Sequence, residues 1–454
     1  MFFTLFRKEV LSHLLSSRFV FSILVGTVLL VGSSWVLLRD QGDDLRSYQA
    51  FQAEHARQIG SYETGADSRL DALSMGGRIV DRRPPELSFL LSGVHQGLPK
   101  SFWVSSSDGP TPETNLVGNR LKELFDLVDF RFVVGVIFSL LALLLSYDAI
   151  NGEKQTGTLR LMLTNPVSIR TLLLAKWASL NIVLALAFLV AFLLSLGMAL
   201  LSPTVSLTSA GLVRLLMIVA VSLLYLAVFV TLGLLVSTLF REPYPAVSTA
   251  LLLWVLLIFV VPGAAPYLSA VGEKGPDYVG TAVNRQDDLG YNYRQVRQGY
   301  LDKGMEWEAA SAATQKLWTE VVEPQRAANV SRSNEQFLNR RIRLVERGRE
   351  WARLSPYGGF SLAVTELAGV GVGEQLRFEA AVERYRRSFQ EFIKRQQELG
   401  RRNEVTLAEV PPFQFDSGGG RFGQEALVDV AVLAAFVLLF FSAAFVRMLR
   451  YDVR

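Results

Sequence analysis

Apolar and polar residues are segregated along this chain into long blocks. Residues 19–38 run for 20 positions without a charge, between Arg18 and Arg39. A hydrocarbon core of ~30 Å is crossed by ~20 apolar helical residues, so the block predicts a membrane span. Its length favours a retained span over a signal peptide, and no convincing small-x-small cleavage site follows it. Five further blocks of the same kind occupy residues 130–147, 177–201, 212–239, 246–267 and 426–446. Charges sit only at their edges, at Arg131, Arg214 and Asp429, while Pro262 and Pro266 break the fifth block late. The pattern predicts an all-α integral membrane protein with six transmembrane helices.

The segments between the blocks predict sidedness. On one side the short segments carry Arg7, Lys8 and Arg18, then Lys154, Arg160, Arg170 and Lys176, then Arg241, and finally Arg447, Arg450 and Arg454. The short loop 202–211 on the other side carries no basic residue. Basic residues in short loops stay in the cytoplasm, which places both termini there, with residues 1–18 and 447–454. Residues 39–129 and 272–425 then form two extracytoplasmic insertions. Their own charges count little, because long domains translocate regardless of charge.

The first insertion is polar and turn-rich. It contains Arg82-Arg83-Pro84-Pro85, Leu87-Ser88-Phe89-Leu90-Leu91 and Gly97-Leu98-Pro99, and it reads as short helices and loops. The second is larger and helical. Phe378, Val382, Tyr385, Phe389 and Phe392 recur at spacings of four and three, which puts them on one helix face. An Arg-rich stretch over 325–353 predicts a second helix, ended by Leu354-Ser355-Pro356-Tyr357, and the two are expected to form a hairpin. The aromatic stripe most often means packing between helices; the alternative is a docking surface for a partner protein or cargo. Residues 360–373 are mildly apolar and too short to span, which predicts a position at the outer membrane surface. Asn329-Val330-Ser331 matches a glycosylation sequon by chance.

Composition adds exclusions. Charged residues make up 19%, against about 25% in soluble chains, which argues against an ordinary cytosolic enzyme. The net charge of +4 gives no concentrated basic face of the kind nucleic acid requires. The chain has no cysteine, hence no disulfide, thiolate metal site or cysteine nucleophile. His13, His55 and His95 are far apart and form no metal set. No P-loop, His-Glu-x-x-His or Gly-x-Ser-x-Gly pattern occurs, and Gly369-Val370-Gly371-Val372-Gly373 is not a dinucleotide fingerprint. No catalytic, cofactor-binding or metal-binding residue is assigned. Ser139, Asn181, Ser222, Thr231, Ser248 and Thr249 lie inside the blocks; such residues usually bond to their own helix or a neighbour, and less often line a route.

The informative segment is 148–176, between the second and third blocks. A short helix from Thr158 to Asn165 fits, with Thr156 or Thr158 as cap and Pro166 as stop. Leu159, Met162 and Leu163 form its apolar face, of a kind that seats in a groove on a cytosolic partner, and Glu153 and Arg160 flank it with charge. The bland alternative is a polar loop that only caps two helices. Asp148 sits at the inner membrane boundary, where it pairs with Lys176 or Arg170 or is simply hydrated.

The run Tyr147-Asp148, Glu153 followed by Gly157-Thr158-Leu159, Asn165-Pro166-Val167-Ser168, and Lys176 resembles the permease subunits of type-2 ABC exporters. Within that family the chain is similar to the subgroup with large outer domains. That subgroup is akin to the permease linked to maturation of a multicopper enzyme, nitrous oxide reductase. Arg83-Pro84-Pro85, Leu87-Ser88-Phe89-Leu90, Leu354-Ser355-Pro356 and Leu367-Ala368-Gly369 add to the likeness. The resemblance implies a half-transporter of a bacterial inner membrane. Two permease chains, identical or homologous, pair within membrane lipid, and two separate ATPase subunits holding ATP and Mg dock below. Glu153, Gly157, Thr158, Leu159, Met162 and Leu163 would then couple ATPase closure to the spans, with Asp148 and Lys176 as a boundary ion pair. A periplasmic or envelope protein is a further expected partner, and nucleic acid is not. The alternative is a mechanical subunit whose outer domains act on an envelope protein without moving cargo. A stand-alone channel or ion-coupled carrier fits less well, since the spans hold few charges and no inverted repeat is evident. Copper binding is not carried over, because a copper carrier needs clustered His, Met or Cys ligands, and seven Met and three His show no such spacing.

Overall fold

The structure is a computed structural model. It describes residues 2–64, 69–92, 98–105, 110–112, 128–164, 168–271, 293–401, 405–415 and 422–450. Six of its helices are long and apolar enough to cross a membrane.

Helix α1 (Phe2–Leu14) precedes the first span. Helix α2 (Ser17–Thr64) carries that span and continues unbroken for 48 residues. At 1.5 Å per residue this is a rod of ~70 Å, more than twice the hydrocarbon thickness. The expectation of short helices and loops after residue 39 is corrected here. Residues 39–64 are polar but hold no proline, and polarity alone does not stop a helix. Helix α3 (Arg69–Gly76) follows. Strands β1 (Arg78–Asp81), β2 (Ser101–Val104) and β3 (Thr111–Pro112) then form a small antiparallel sheet in that order. Its register pairs Ile79 with Trp103 and Phe102 with Pro112. Strands this short carry too few positions to show a period of two.

The second span, α4, starts at Phe130–Phe132, passes through a π-helical stretch Val133–Phe138 and ends in Ser139–Ser146. Two short helices follow, α5 (Asn151–Thr156) and α6 (Thr158–Thr164). Spans three and four are α7 (Ile169–Leu200) and α8 (Ser209–Leu239). The fifth, α9, runs through Pro243–Val255, a π-helical stretch Leu256–Val260 and Val261–Ala270. Helix α10 (Trp307–Leu317), α11 (Glu323–Ala352), α12 (Pro356–Ala368) and α13 (Val372–Glu398) make up most of the second insertion, and α14 (Phe422–Leu449) is the last span.

Helices α4 and α8 form the centre of the bundle, with 67% of their apolar windows buried, against 22% for α9 and 17% for α14. One main core joins them through Phe138, Phe188, Tyr225 and Phe229. Leu87, Phe89, Leu90 and Leu91 belong to the same core and are fully buried. That segment of the first insertion plugs the bundle end, and the Leu90 carbonyl receives the Phe130 N–H.

The expected place of residues 360–373 is also corrected. Helix α12 packs among α4, α8 and α14 instead of lying on the membrane surface. Phe360 stacks on Tyr225 midway along α8, with ring centroids 4.3 Å apart. Helix α11 descends beside the end of α9, the chain reverses at Leu354 and Ser355, and α12 climbs back. Backbone that enters and leaves on one side is tolerated where protein surrounds it. Helix α11 turns directly into α12 at Ser355, and it also lies antiparallel to α13 as expected, paired through Arg341–Glu379 and Arg387–Glu335. The sequon falls within α11, and its side chains lie outside the described ones.

The two insertions build one unit. Phe378, Val382, Tyr385 and Phe389 are buried, and they pack on Val80, Phe102 and Val104 of the sheet and on Val405 and Val410. The stripe is a core, shared with Leu70 and Leu73 of α3 as well as with the sheet and loops. Buried Arg82 locks the insertions together, donating to Gln375 Oε1 at 2.9 Å and to the Gly369 carbonyl at 3.0 Å. Asp81 holds His55 of α2 at 2.8 Å.

Candidate functional site

At the bundle end that carries the chain termini, α5 is clamped onto the C-terminus of α8. Ser237 Oγ accepts from the Ile150 and Asn151 N–H groups at 2.9 and 3.1 Å. Lys154 Nζ donates to the Thr238 carbonyl at 2.7 Å and the Phe240 carbonyl at 3.3 Å. Each helix end thereby satisfies groups that its own ladder leaves open. Gly157 separates α5 from α6 with φ 74°, a left-handed conformation that glycine adopts without steric cost. Asn165, Pro166 and Val167 of the family-like motif lie outside the described residues, and Ser168 caps α7 by accepting from the Thr171 N–H.

The short helix expected after Gly157 is present as α6, but its apolar face is turned inward. Leu159 is fully buried in a small core with Ile150, Leu172, Leu173, Leu234 and Met448, and Met162 packs against it. The apolar face holds the segment to its own spans. The Leu163 side chain lies outside the described ones. The exposed residues described in this segment are Gln155, Thr156, Gly157, Thr158, Arg160, Leu161 and Thr164, with Leu161 67% exposed.

The expected Asp148–Lys176 pair is not formed. Lys176, with a side chain 3% exposed, binds Glu153 at 2.7 Å and Glu9 at 3.4 Å. Asp148 instead takes Arg18 at 2.8 Å. The reason is the N-terminal helix: α1 packs against α7 and brings Glu9, with Arg18 following at the start of α2. Sequence reasoning missed both residues. The signal was there in Glu9, a lone acid in an otherwise apolar and basic first helix.

His13, on the same helix, lies 3.9 Å from Glu9. Burial pushes its pKa below the usual histidine value; Glu9 opposes the shift and Lys176 adds to it. Folding thus favours neutral His13. Its contribution is present above the unfolded value of about 6.5 and is lost as pH falls through the lower folded value. The thermal midpoint should therefore drop on going from pH 7.5 to 5.5, and His13→Gln should flatten that drop.

A second polar junction sits toward the other end, where the hairpin enters. Tyr225 Oη donates to the Gly135 carbonyl at 2.6 Å, in the π-helical stretch of α4. Trp254 Nε1 donates to Ser139 Oγ at 2.9 Å. Arg353 binds Asp429 at 2.6 Å. Ser355 Oγ donates to the Leu257 carbonyl. That carbonyl is free for a reason. In a π-helical turn it would accept from residue 262, which is a proline without N–H, and the Val261 N–H is taken by Leu256. Of the six polar span residues, Ser139, Asn181, Ser222, Thr231 and Ser248 bond to carbonyls of their own helices. Thr231 also receives the Trp177 Nε1–H of α7 at 2.8 Å. Among the described residues no group of three or more His, Cys, Asp or Glu is placed to hold a metal ion.

Residues 3–302, about two thirds of the chain, match the family described as ABC-2 family transporter protein. The chain belongs to the ABC-2 transporter family. It is a multi-pass ABC transporter permease, and the segment α5–α6 lies within the matched part. Residues 268–416 match a domain of unknown function (DUF3526), which takes in the α11–α12 hairpin of this permease. The chain is similar to "Probable ABC transporter permease protein NosY" of Pseudomonas aeruginosa, 37% identical over 125 residues, 27% of this chain and 45% of that protein. It is also similar to the protein of the same name from Stutzerimonas stutzeri, 48% identical over 56 residues, 12% of this chain and 20% of that protein. The matched stretches thus span less than half of either curated relative.

Proposed function

We propose that this permease is the membrane subunit of an ATP-driven exporter in a bacterial inner membrane, with both termini and α5–α6 in the cytoplasm. A second permease chain pairs with it, and two separate ATPase subunits carrying ATP and Mg dock beneath α5–α6. The carrying observation is the clamp. Helices α5 and α6 are fixed to the ends of α7 and α8 by Ser237, Lys154, Lys176 and the Leu159 core, yet they present an exposed strip around Arg160 and Leu161. A push on that strip reaches the spans without passing through a soft loop. The sparse burial of α9 and α14 leaves surface for lipid and a second chain. Insertions on the far side would face the periplasm, within reach of an envelope protein.

Co-purification tests this reading. A tagged, gently solubilised sample should bring down a subunit with a P-loop, and its repeated absence would sink the reading. Arg160→Glu combined with Leu161→Asp should cut the recovered ATPase about tenfold with little change in thermal midpoint, since exposed substitutions move stability by only ~0.5 kcal/mol. Leu159→Ala should instead cost ~2–5 kcal/mol, as a core truncation.

A further inference from the structure

Between α8 and α14, at the end that carries the termini, lies a groove of about 460 Å³. Its walls are apolar, with Leu239, Leu439, Ala443 and Val446, and its rim is formed by Arg447 and Arg450. Leu239, Leu439 and Val446 are each at least 45% exposed, so the groove opens outward from the bundle at membrane level. Among the described residues neither arginine forms an ion pair, and neither does Arg241. Arg241 and Arg447 both lie close enough to Lys154 to repel its charge. Four cations thus gather at one helix-end corner. The groove between α2 and α4 makes the contrast: it has about 400 Å³ and also carries an arginine, Arg18, but there Asp148 supplies the counter-charge.

A guanidinium at a helix end can serve its helix dipole alone. Two of them rimming an apolar slot between spans do more. The guanidinium fork fits phosphate oxygens, and basic pockets between membrane helices take anionic headgroups. We propose that this groove binds one anionic phospholipid of the phosphatidylglycerol class, its phosphate on Arg447 and Arg450 and one acyl chain along Leu439 and Ala443. The lipid phosphate would then lie next to the Lys154 clamp on α8.

The full-length chain in detergent, incubated with equimolar phosphatidylglycerol and phosphatidylcholine, is examined by native mass spectrometry. The wild type should retain one phosphatidylglycerol. Arg447→Gln with Arg450→Gln should lower that adduct about tenfold, and Ala443→Trp, which fills the slot and keeps both arginines, should lower it similarly. Arg57→Gln, far along α2, should leave it unchanged. Millimolar inorganic phosphate should not displace the lipid; displacement would make the site one for free phosphate and overturn the proposal. Equal adducts in all variants, or equal retention of phosphatidylcholine, would also overturn it. So would unchanged lipid adducts with loss of a co-purified ATPase, which would make the patch a protein contact. If a variant does not fold, the wild type decides alone: a photoactivatable phosphatidylglycerol must label residues 439–450, and labelling elsewhere only refutes the assignment.

Discussion

Lys176→Met should destabilise the protein by ~3–5 kcal/mol, the cost of stripping one partner from a buried ion cluster. The replacement matches the lysine stem in length and removes only the charge. Glu9 and Glu153, whose side chains are 7% and 18% exposed, would then face each other with only the exposed Lys8, 3.5 Å from Glu9, as a cation. Water reaches them poorly, so they protonate or the α1–α7 contact opens. The thermal midpoint in detergent reads the loss. A triple variant with Glu9→Gln and Glu153→Gln should recover most of it, since replacing a whole buried ionic cluster is often near neutral. A midpoint unchanged by Lys176→Met would mean that the cluster is hydrated and that α1 is not held by it.

Gly358→Ala should be nearly as harmful, although it adds one methyl group. A Cβ at Gly358 would lie 2.0 Å from the Ala352 carbonyl oxygen and 2.7 Å from its carbon. These are backbone atoms, so no rotamer change relieves the clash. The same residue donates its N–H to Ser355 Oγ, at the point where α11 turns into α12. Overpacking typically costs ~1–3 kcal/mol, and a clash with backbone that no rotamer relieves lies at the upper end of that range. Gly359→Ala is the control, because its added Cβ meets nothing closer than 3.9 Å. If the two variants melt alike, the hairpin turn is not packed as described.

The spans were legible because hydrophobic blocks of this length have few other uses. Their helices extend beyond the blocks, as α7 does from Ile169 and α14 from Phe422, since polar flanks add turns without adding apolar signal. Helix α12 was not legible. Phe360, Ala363, Val364 and Leu367 read as a short surface stretch, and Arg353 beside them argues against burial until Asp429 of α14 is seen to meet its charge. That pairing joins residues 76 positions apart, and no local pattern encodes it. The segment α5–α6 was marked by its motif, but the facing of its apolar side was not. The periodicity of Leu159 and Met162 identifies an apolar face without saying whether that face meets another subunit or the chain's own spans. The partners of Lys176 and Asp148 were missed for the same reason, because both come from the N-terminal helices by tertiary packing.

The unbroken length of α2 has a geometric consequence. Its foot at Ser17 stands beside Arg18 and Asp148, and its upper part is pinned to the sheet by His55 and Asp81. From foot to pin is a lever arm of ~55–60 Å. A tilt of ~5° at the base would carry the pinned point sideways by ~5 Å, about one full pitch of a helix. A change too slight to alter a single contact at the foot would thus arrive at the top as a displacement large enough to shift a whole domain.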